Sequence, residues 1–540
     1  MSPNKIIVTN SGALTAKYGP GVSKVQAAIA KLIKADATRG LITVMIALDN
    51  KNDMAAVGAG PVTKPTDPKQ NKMAIDAVYN KYRPDYLMIL GAVDVVPHQD
   101  LTNPLYSPAT AAEDDPDPIV FSDLPYACPG AYGKKIAAFT NPTRVIGRLP
   151  DVTGGKDPNY LVTLINAAST FTSRPSATYR TFFGVSAGVW TGSTTLSLSA
   201  AFGTSAGMKV VPPASSNWPQ ALLNAPSHFF NCHGAASSAQ FYGQPASGAD
   251  QYPVALDASY IAGKIKAGTV VAAECCYGAE LYDPNVTGIH QGIPNQYLED
   301  GAYGFFGSTT VAYGPSKTND WADLLCQYFF ESLLAGASAG RSVLQARQKY
   351  IANKNNLTGT DLKTLAQYIL LGDPAVTPVA SATLAPTAHR IMKKGAFVEA
   401  APAVEASMQR STRRQELIQN GLALGTSVST SEIKSAERPG ANIRKLLKNE
   451  AAKLGIGKPS FSSFAVQPAE SLAAAKTLFF REGVAAKSVA FAKAVPLREL
   501  KAVHRAAGRT AEKNERSIGI VGVEIHEYND GVTVHPFESR

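Results

Sequence analysis

The first 380 residues of the chain alternate short apolar segments with stretches of helical periodicity. Residues 5–9 and 41–49 are apolar runs bounded by turn residues, which is typical of buried strands. Between them, Val25, Ala28 and Leu32 recur at the three- and four-residue spacing of an amphipathic helix. This strand, helix, strand order predicts an α/β fold in which a mostly parallel sheet is flanked by helices.

The same pattern predicts further elements of this sheet. A helix is expected over residues 67–82, because Asp67 suits the N-cap position and Pro68 suits the first turn. Strands are predicted at residues 86–91, 180–185, 228–231, 269–273 and 303–306, and late helices at residues 327–335 and 340–352.

The last 160 residues differ from the rest in charge and composition. Residues 381–540 contain 24 Lys and Arg against 15 Asp and Glu, so they carry +9 of the net charge of +10. They contain none of the 5 cysteines and none of the 3 tryptophans. We therefore predict a domain over residues 1–380, a linker region over 381–440 and a basic α+β accessory or regulatory domain over 441–540.

Within the accessory domain, helical spacing predicts helices over residues 442–454 and 469–492. Alternating residues predict strands over 518–528 and 532–537, joined by a hairpin turn at Asn529, Asp530 and Gly531. The basic charges are dispersed among glutamates and few aromatic residues accompany them, so we do not expect a nucleic-acid partner. A regulatory protein partner for this domain is a hypothesis.

Composition excludes several classes of protein. With 45% hydrophobic and 17% charged residues, the chain is globular rather than disordered. No run approaches the roughly 20 apolar residues of a membrane span, and the N-terminus lacks the features of a signal peptide, so we expect a cytoplasmic protein with no membrane contact. Five cysteines are too few for a disulfide framework and are expected as thiols. Without a dinucleotide fingerprint or a P-loop, we expect no cofactor.

Two predicted strands end abruptly in reactive side chains. Residues 227–231 lead into Cys232, His233 and Gly234, and residues 269–273 lead into Glu274, Cys275, Cys276, Tyr277 and Gly278. Because the carboxyl ends of parallel strands meet at one edge of a sheet, a histidine and a cysteine are expected to lie close together there. A nearby imidazole keeps a thiolate ionised and protonates a leaving amine, so the pair predicts nucleophilic catalysis.

These two segments resemble the clan of caspases, legumains and gingipains. The run from Glu274 to Gly278 is similar to the caspase pattern Gln-Ala-Cys-x-Gly, and His233 precedes Cys276 by 43 residues, against roughly 50 in caspases. The resemblance implies a caspase-like sheet with Cys276 as nucleophile and His233 as proton donor. It also implies an oxyanion site formed by the backbone N–H groups of Gly234 and Cys276.

Other segments resemble the gingipain family in particular. They are residues 86–97 (YLMILGAVDVVP), 122–127 (SDLPYA), 146–150 (IGRLP), 304–309 (GFFGST) and 371–374 (LGDP). The resemblance extends over about residues 41–379 and none of the last 160. It implies a cysteine endopeptidase that cleaves protein or peptide substrates through a Cys-His dyad and an acyl-enzyme.

The sequence departs from the gingipain pattern where a basic P1 side chain would be recognised. Residues 184–191 contain no acid, and none follows before Asp250. We expect Glu274, Ser186, Thr309 and Trp321 to line the substrate site, with a small or uncharged P1 residue. A basic P1 residue would require Glu274, Asp320 or Asp323.

Several alternatives stay open at this point. Cys275 is the competing nucleophile, although adjacent residues on extended chain face opposite sides of a sheet and only one can meet His233. A zinc site from Cys232, His233, Cys275 and Cys276 is disfavoured, because adjacent ligands diverge. A catalytically inactive caspase-like scaffold, whose basic C-terminal domain binds a partner, is the alternative from another functional class.

Two further motifs have alternative interpretations. Residues 184–188, Gly-Val-Ser-Ala-Gly, match a serine-hydrolase nucleophile elbow, which would make Ser186 a nucleophile. We interpret them as a loop that lines the peptidase cleft, because residues 189–195 do not favour a helix. The acidic residues 113–118 suit calcium, but we expect a solvated loop and no metal.

Overall fold

The computed structural model describes residues 3–107, 115–248, 251–288, 290–354 and 356–380, together with residues 445, 448 and 449 and the strands of the C-terminal part. In residues 3–380 the strands are β1 (Lys5–Thr9), β2 (Thr43–Ala47), β3 (Tyr86–Leu90), β4 (Gln99–Thr102), β5 (Ile119–Ser122), β6 (Ile146–Leu149), β7 (Arg174–Pro175), β8 (Phe182–Ala187), β9 (Lys209–Val211), β10 (Ser227–Asn231), β11 (His233–Gly234), β12 (Gln240–Tyr242), β13 (Val254–Asp257), β14 (Val270–Ala273), β15 (Gly304–Ser308), β16 (Tyr368–Leu371) and β17 (Val379–Ala380).

The α-helices of the same part flank these strands. They are α1 (Ser11–Tyr18), α2 (Val22–Thr38), α3 (Lys51–Ala56), α4 (Pro68–Tyr82), α5 (Pro158–Thr170), α6 (Ser176–Tyr179), α7 (Thr191–Phe202), α8 (Gln220–Leu223), α9 (Ala258–Ile261), α10 (Pro284–Thr287), α11 (Ile293–Glu299), α12 (Trp321–Leu334), α13 (Ala339–Ala352) and α14 (Gly359–Gln367). The Asp67 carboxylate accepts hydrogen bonds from the backbone N–H groups of Lys69 and Gln70, which confirms the predicted N-cap of α4.

Ten strands form one sheet in the order β2-β1-β3-β6-β16-β15-β14-β10-β8-β9. All neighbouring pairs are parallel except β15 and β16, which run antiparallel. The sheet therefore consists of two parallel five-stranded halves of opposite direction that meet in the middle. The predicted α/β class, with a mostly parallel sheet flanked by helices, is confirmed.

Two hydrophobic clusters cover the two faces of this sheet. Along β14, Val271 and Ala273 belong to one cluster, whereas Val270 and Ala272 belong to the other. This alternation follows from the two-residue side-chain period of a strand. Because both faces are buried, β14 is a continuous apolar run in the sequence.

The interpretation of residues 184–188 as a cleft loop is wrong, and so is the expectation that residues 189–195 do not form a helix. Ser186 lies on β8, and a short 3-10 turn leads directly into α7 rather than into a cleft loop. Small hydroxyl side chains support this helix start, because Ser193 and Thr194 both donate to the carbonyl oxygen of Trp190. Ser186 Oγ is buried against Thr194 Oγ1 at 2.8 Å, so it is not the exposed serine that a nucleophile elbow requires.

The C-terminal strands are β18 (Ser460–Ala465), β19 (Phe480–Arg481), β20 (Val484–Ala485), β21 (Ser488–Ala494), β22 (Val521–Glu527) and β23 (Val532–Glu538). Four of them form an antiparallel sheet in the order β18-β21-β22-β23. Glu527 pairs with Val532, which confirms the predicted hairpin.

The predicted helix over residues 469–492 is wrong where β19, β20 and β21 replace it. In β21, SVAFAKA, alanine alternates with larger side chains at every second position. Pairing with strands on both sides outweighs the helical propensity of this segment. Of the predicted helix over 442–454, residues 445, 448 and 449 are helical and the others lie outside the described residues. The proposed linker, residues 381–440, also lies outside them.

Within the described part of the chain, no helix combines the length and the apolar character needed to cross a membrane.

Candidate active site

Strand pairing brings the predicted histidine and cysteine to one edge of the sheet. β10 and β14 are parallel neighbours, and Phe230 pairs with Ala273, an offset of 43 residues. The same offset separates His233 from Cys276. The backbone N–H of Glu274 donates to the carbonyl oxygen of Phe230 at 2.8 Å, so the pairing continues beyond the end of β14.

Glycine at position 234 allows the two chain segments to touch. A Cβ atom at Gly234 would lie 2.9 Å from the carbonyl carbon of Cys276 and closer still to its carbonyl oxygen. A second contact joins the segments, because the backbone N–H of Ser237 donates to Glu280 Oε2 at 2.5 Å. The loop after His233 and the loop after Cys276 are therefore held against each other.

The two adjacent cysteines pack on opposite faces of the sheet. Cys275 and Cys232 belong to one hydrophobic cluster, and Cys276 belongs to the other. All five cysteines of the chain are buried free thiols, as the sequence predicts. His233 follows Cys232 but lies on β11, which pairs with β12 in a separate three-stranded sheet.

His233 is 2% exposed and its ring is held from several sides. Its Nε2 lies 2.8 Å from Gln244 Oε1. The centroid of the ring lies 4.4 Å from that of Trp190, and the ring packs edge-on against Tyr252. Gln244 Nε2 donates to the carbonyl oxygen of Gly248, so the amide oxygen faces the imidazole and accepts from Nε2–H. In the neutral ring Nδ1 is then the basic nitrogen.

Gln244 contacts the imidazole of His233 at a position that the sequence does not reveal. A hydrogen bond at one ring nitrogen fixes the tautomer and orientation of an imidazole. Gln244 lies 11 residues beyond His233, after the β11-β12 pairing has turned the chain back. A glutamine at this distance belongs to no motif, so only the tertiary structure reveals its position.

The Cys276 thiol is closed off from solvent. Its Sγ accepts a hydrogen bond from the backbone N–H of Ala312 at 3.3 Å. Burial raises the pKa of the Cys276 thiol to about 12, although the Ala312 N–H group and the nearby Lys363 act in the opposite direction. Burial also raises the pKa of Cys275, and its neighbour Cys232 adds to the shift. At neutral pH the closed site therefore holds a protonated thiol.

Strained backbone gathers around these loops. The described non-glycine residues with positive φ are Arg83, Ser237 (51°), Tyr277 (54°) and Trp321 (43°). Arg83 is the C-cap of α4, where this conformation is common. Ser237 lies four residues after His233, and Tyr277 is the residue after Cys276. Trp321 is followed by Ala322, whose backbone N–H donates to the Tyr313 carbonyl oxygen at 3.2 Å. Left-handed non-glycine residues cluster at active sites.

The four predicted substrate-binding residues are all buried. Ser186 and Glu274 are 0% exposed, Thr309 is 3% exposed and Trp321 is 8% exposed. Thr309 Oγ1 donates to the carbonyl oxygen of Phe121 at 2.6 Å.

The two other acids that could bind a basic P1 residue differ in exposure, because the Asp320 side chain is 35% exposed and Asp323 is buried. Asp320 forms an ion pair with Lys354 and caps the N–H of Trp321, and Asp323 is fully buried.

The prediction of a solvated acidic loop is wrong for Asp115 and Asp117, which are 2% and 1% exposed. Lys363 neutralises part of their charge by an ion pair to Asp115. Residues 113 and 114 lie outside the described part. In the part that the structure describes, no group of three or more His, Cys, Asp or Glu residues is arranged to hold a metal ion.

Comparison with known proteins decides the family. Residues 2–379 match the model of peptidase family C25, the gingipain family. The chain belongs to this family. Family C25 indicates a cysteine peptidase hydrolase, and it favours an active enzyme over an inactive scaffold.

Two further comparisons accompany the C25 match. One solved structure, titled "Structure of Protease", is 14% identical, with a TM-score of 0.43, 69% of this chain covered and 78% of that chain. No curated protein matches this C25 peptidase.

Proposed function

We propose that this C25 peptidase is an endopeptidase that cleaves protein substrates through a dyad of Cys276 and His233. The observation that carries the proposal is the 43-residue offset between β10 and β14, which extends from Phe230 and Ala273 to His233 and Cys276. The close approach of Gly234 to the Cys276 backbone supports the same pairing.

The chemistry follows the acyl-enzyme route. The Cys276 thiolate attacks the scissile carbonyl carbon, and the backbone N–H groups of Gly234 and Cys276 stabilise the oxyanion. His233 protonates the leaving amine, and the C–N bond breaks to leave a thioester on Cys276. A water molecule, deprotonated by His233, then hydrolyses the thioester and restores the free thiol.

Gln244 supports this role of His233 by holding Nε2–H, so that Nδ1 exchanges the proton. Because the pKa of the Cys276 thiol is raised, the thiol must lose its proton to a base before it can attack the substrate. A buried thiol becomes nucleophilic only when an adjacent base accepts its proton, so we propose that substrate binding opens the loops and brings Nδ1 to the sulfur. Without a bound substrate, the Cys276 thiol is then protonated and does not react.

The proposed P1 preference is for a small or uncharged side chain. Asp320 is engaged by Lys354, and residues 184–191 contain no acid. Asp320 binds a basic substrate only after it gives up Lys354, and Glu274 and Asp323 are fully buried. Glu274, Thr309 and Trp321 stay our candidates for the pocket, whereas Ser186 is no longer one, because it is buried on β8 against Thr194.

The test is a peptide-library digest with cysteine variants. Cys276→Ala should abolish cleavage and labelling by an electrophilic peptide probe, whereas Cys275→Ala should retain at least part of both. Cys275 is the matched control, because it is adjacent, buried and packed on the other face. Cleavage by Cys276→Ala together with inactivity of Cys275→Ala would reverse the assignment.

The accessory domain at residues 441–540 is proposed as a regulatory or targeting domain of a cytoplasmic enzyme. The family match ends at residue 379, and Val379 pairs with Arg174 in the last strand contact of the matched part. Expression of residues 1–380 should therefore give a folded peptidase with an altered rate or altered choice of protein substrate. An insoluble fragment would show that the later residues complete the catalytic fold.

A further inference from the structure

A buried cluster of charges lies beside the nucleophile loop. Asp115 and Asp117 are 2% and 1% exposed, and Lys363 is fully buried. The Lys363 ammonium group contacts Asp115 and lies 3.7 Å from Asp117 Oδ2. Buried charges need a partner, so Lys363 explains why the fold tolerates two neighbouring carboxylates.

The carboxylates hold groups on both sides of the amide that contacts the thiol. Asp117 Oδ2 accepts from the backbone N–H of Val311 at 2.9 Å, and Asp115 Oδ2 accepts from the Tyr313 hydroxyl at 2.7 Å. Ala312 lies between these two residues and donates its N–H to Cys276 Sγ. The position of that N–H group therefore depends on the acid pair.

Asp117 also holds the residue that follows Cys276. Its Oδ1 accepts from the Tyr277 hydroxyl at 2.9 Å, while the Tyr277 backbone N–H donates to the Thr310 carbonyl oxygen at 3.0 Å. Tyr277 has a φ of 54°, a conformation that persists only where the surroundings impose it. These two bonds impose it next to the nucleophile.

We propose that Asp117, supported by Asp115 and Lys363, is a positioning residue that sets the place of the Cys276 sulfur. The inference rests on the proposed function, in which Cys276 is the nucleophile. One carboxylate bridges the loop that carries the thiol and the loop that donates to it.

The experiment uses the full-length chain and compares Tyr277→Phe, Asp117→Asn and Asp117→Ala with the wild type. Tyr277→Phe removes one hydroxyl, Asp117→Asn keeps one carbonyl oxygen, and Asp117→Ala removes both acceptors. The matched control is Tyr18→Phe, because the Tyr18 hydroxyl donates to the buried Asp151 outside the site. Peptide cleavage, thermal unfolding and the rate of iodoacetamide alkylation at Cys276, mapped by mass spectrometry, are measured for each.

We expect Asp117→Ala to lower kcat by at least about ten-fold, since misplaced reacting groups lose that much or more. KM should stay within about two-fold of the wild type, because Asp115, Asp117 and Lys363 are buried and are proposed to act on Cys276 rather than on substrate. Alkylation at Cys276 should become faster as the thiol loses its fixed place. Tyr277→Phe and Asp117→Asn should show smaller changes in the same directions, and Tyr18→Phe should change the unfolding temperature alone.

The outcomes separate this inference from the proposed function. If Cys276→Ala is inactive but the Asp117 and Tyr277 variants keep wild-type kcat and alkylation, the inference is overturned and the proposed function stands. A fall in kcat with unchanged alkylation at Cys276 also overturns it. An active Cys276→Ala removes both. If Asp117→Ala does not fold, Tyr277→Phe decides the question.

Discussion

Substitution of Gly234 by alanine places a methyl group against the chain segment of the proposed nucleophile. The new Cβ atom would lie 2.9 Å from the carbonyl carbon and 3.3 Å from the nitrogen of Cys276, and closer still to the carbonyl oxygen. These are backbone atoms, so no side-chain rotation can relieve the clash. Carbon atoms in contact need about 3.5–4.0 Å, and the carbonyl oxygen is closer than the carbon, so the two segments must separate by at least about 1 Å.

The expected loss of activity follows from that displacement. A misplacement of about 1 Å between reacting groups costs about a hundred-fold in rate. Because Gln244 holds His233 in place by a hydrogen bond, we expect the distance between the imidazole and Cys276 to increase. We therefore expect kcat/KM of Gly234→Ala to fall by about a hundred-fold. Overpacking of this kind also lowers the free energy of unfolding by about 1–3 kcal/mol.

The assay is cleavage of a fluorogenic peptide chosen from the library digest, with unfolding followed in parallel. Gly60→Ala is the matched control, because no heavy atom lies within 4 Å of its added Cβ and its backbone is not left-handed. A folded Gly234→Ala variant with kcat/KM within about three-fold of the wild type would refute the reasoning, since a displacement of about 1 Å should cost about a hundred-fold in rate.

Three further predictions concern single residues. Gln244→Leu should lower kcat by about ten-fold or more and change its pH profile, because His233 loses its tautomer partner; an unchanged profile would contradict this role. Lys363→Met leaves two buried carboxylates without their cation, so the free energy of unfolding in denaturant should fall by about 3–5 kcal/mol. Burial lowers the pKa of His228 from 6.5 to about 3, so the unfolded chain binds the extra proton between these values. Stability should fall as pH drops from 6.5 toward 3, and His228→Phe should flatten that slope in denaturation experiments at pH 5 and pH 7.

Much of the fold follows from local pattern. The strand before Cys276 is an apolar run of four residues, VVAA, and the strand before His233, SHFFN, carries Phe229 and Phe230 at its centre; local pattern predicts both strands. Their common edge follows from the geometry of parallel sheets. Opposite faces for Cys275 and Cys276 follow from the two-residue period of a strand, and the structure agrees.

Local pattern fails where long-range contacts outweigh propensity. The hydroxyl-rich start of α7 has weak helical propensity, yet Thr194 is buried between Ser186 and Asn231. β21 has apolar spacing that also fits a helix, and its two neighbouring strands decide its conformation.

The sequence by itself determines the α/β class, the two reactive strand ends and the resemblance to gingipains, because these depend on residue order within short segments. The tertiary structure alone decides which distant groups surround the site. Lys363 reaches Asp115 across 248 residues, and Gln244 reaches His233 only after a hairpin returns the chain. Their physical basis is desolvation, because a buried charge or imidazole must find its partner wherever the fold brings one within hydrogen-bond distance.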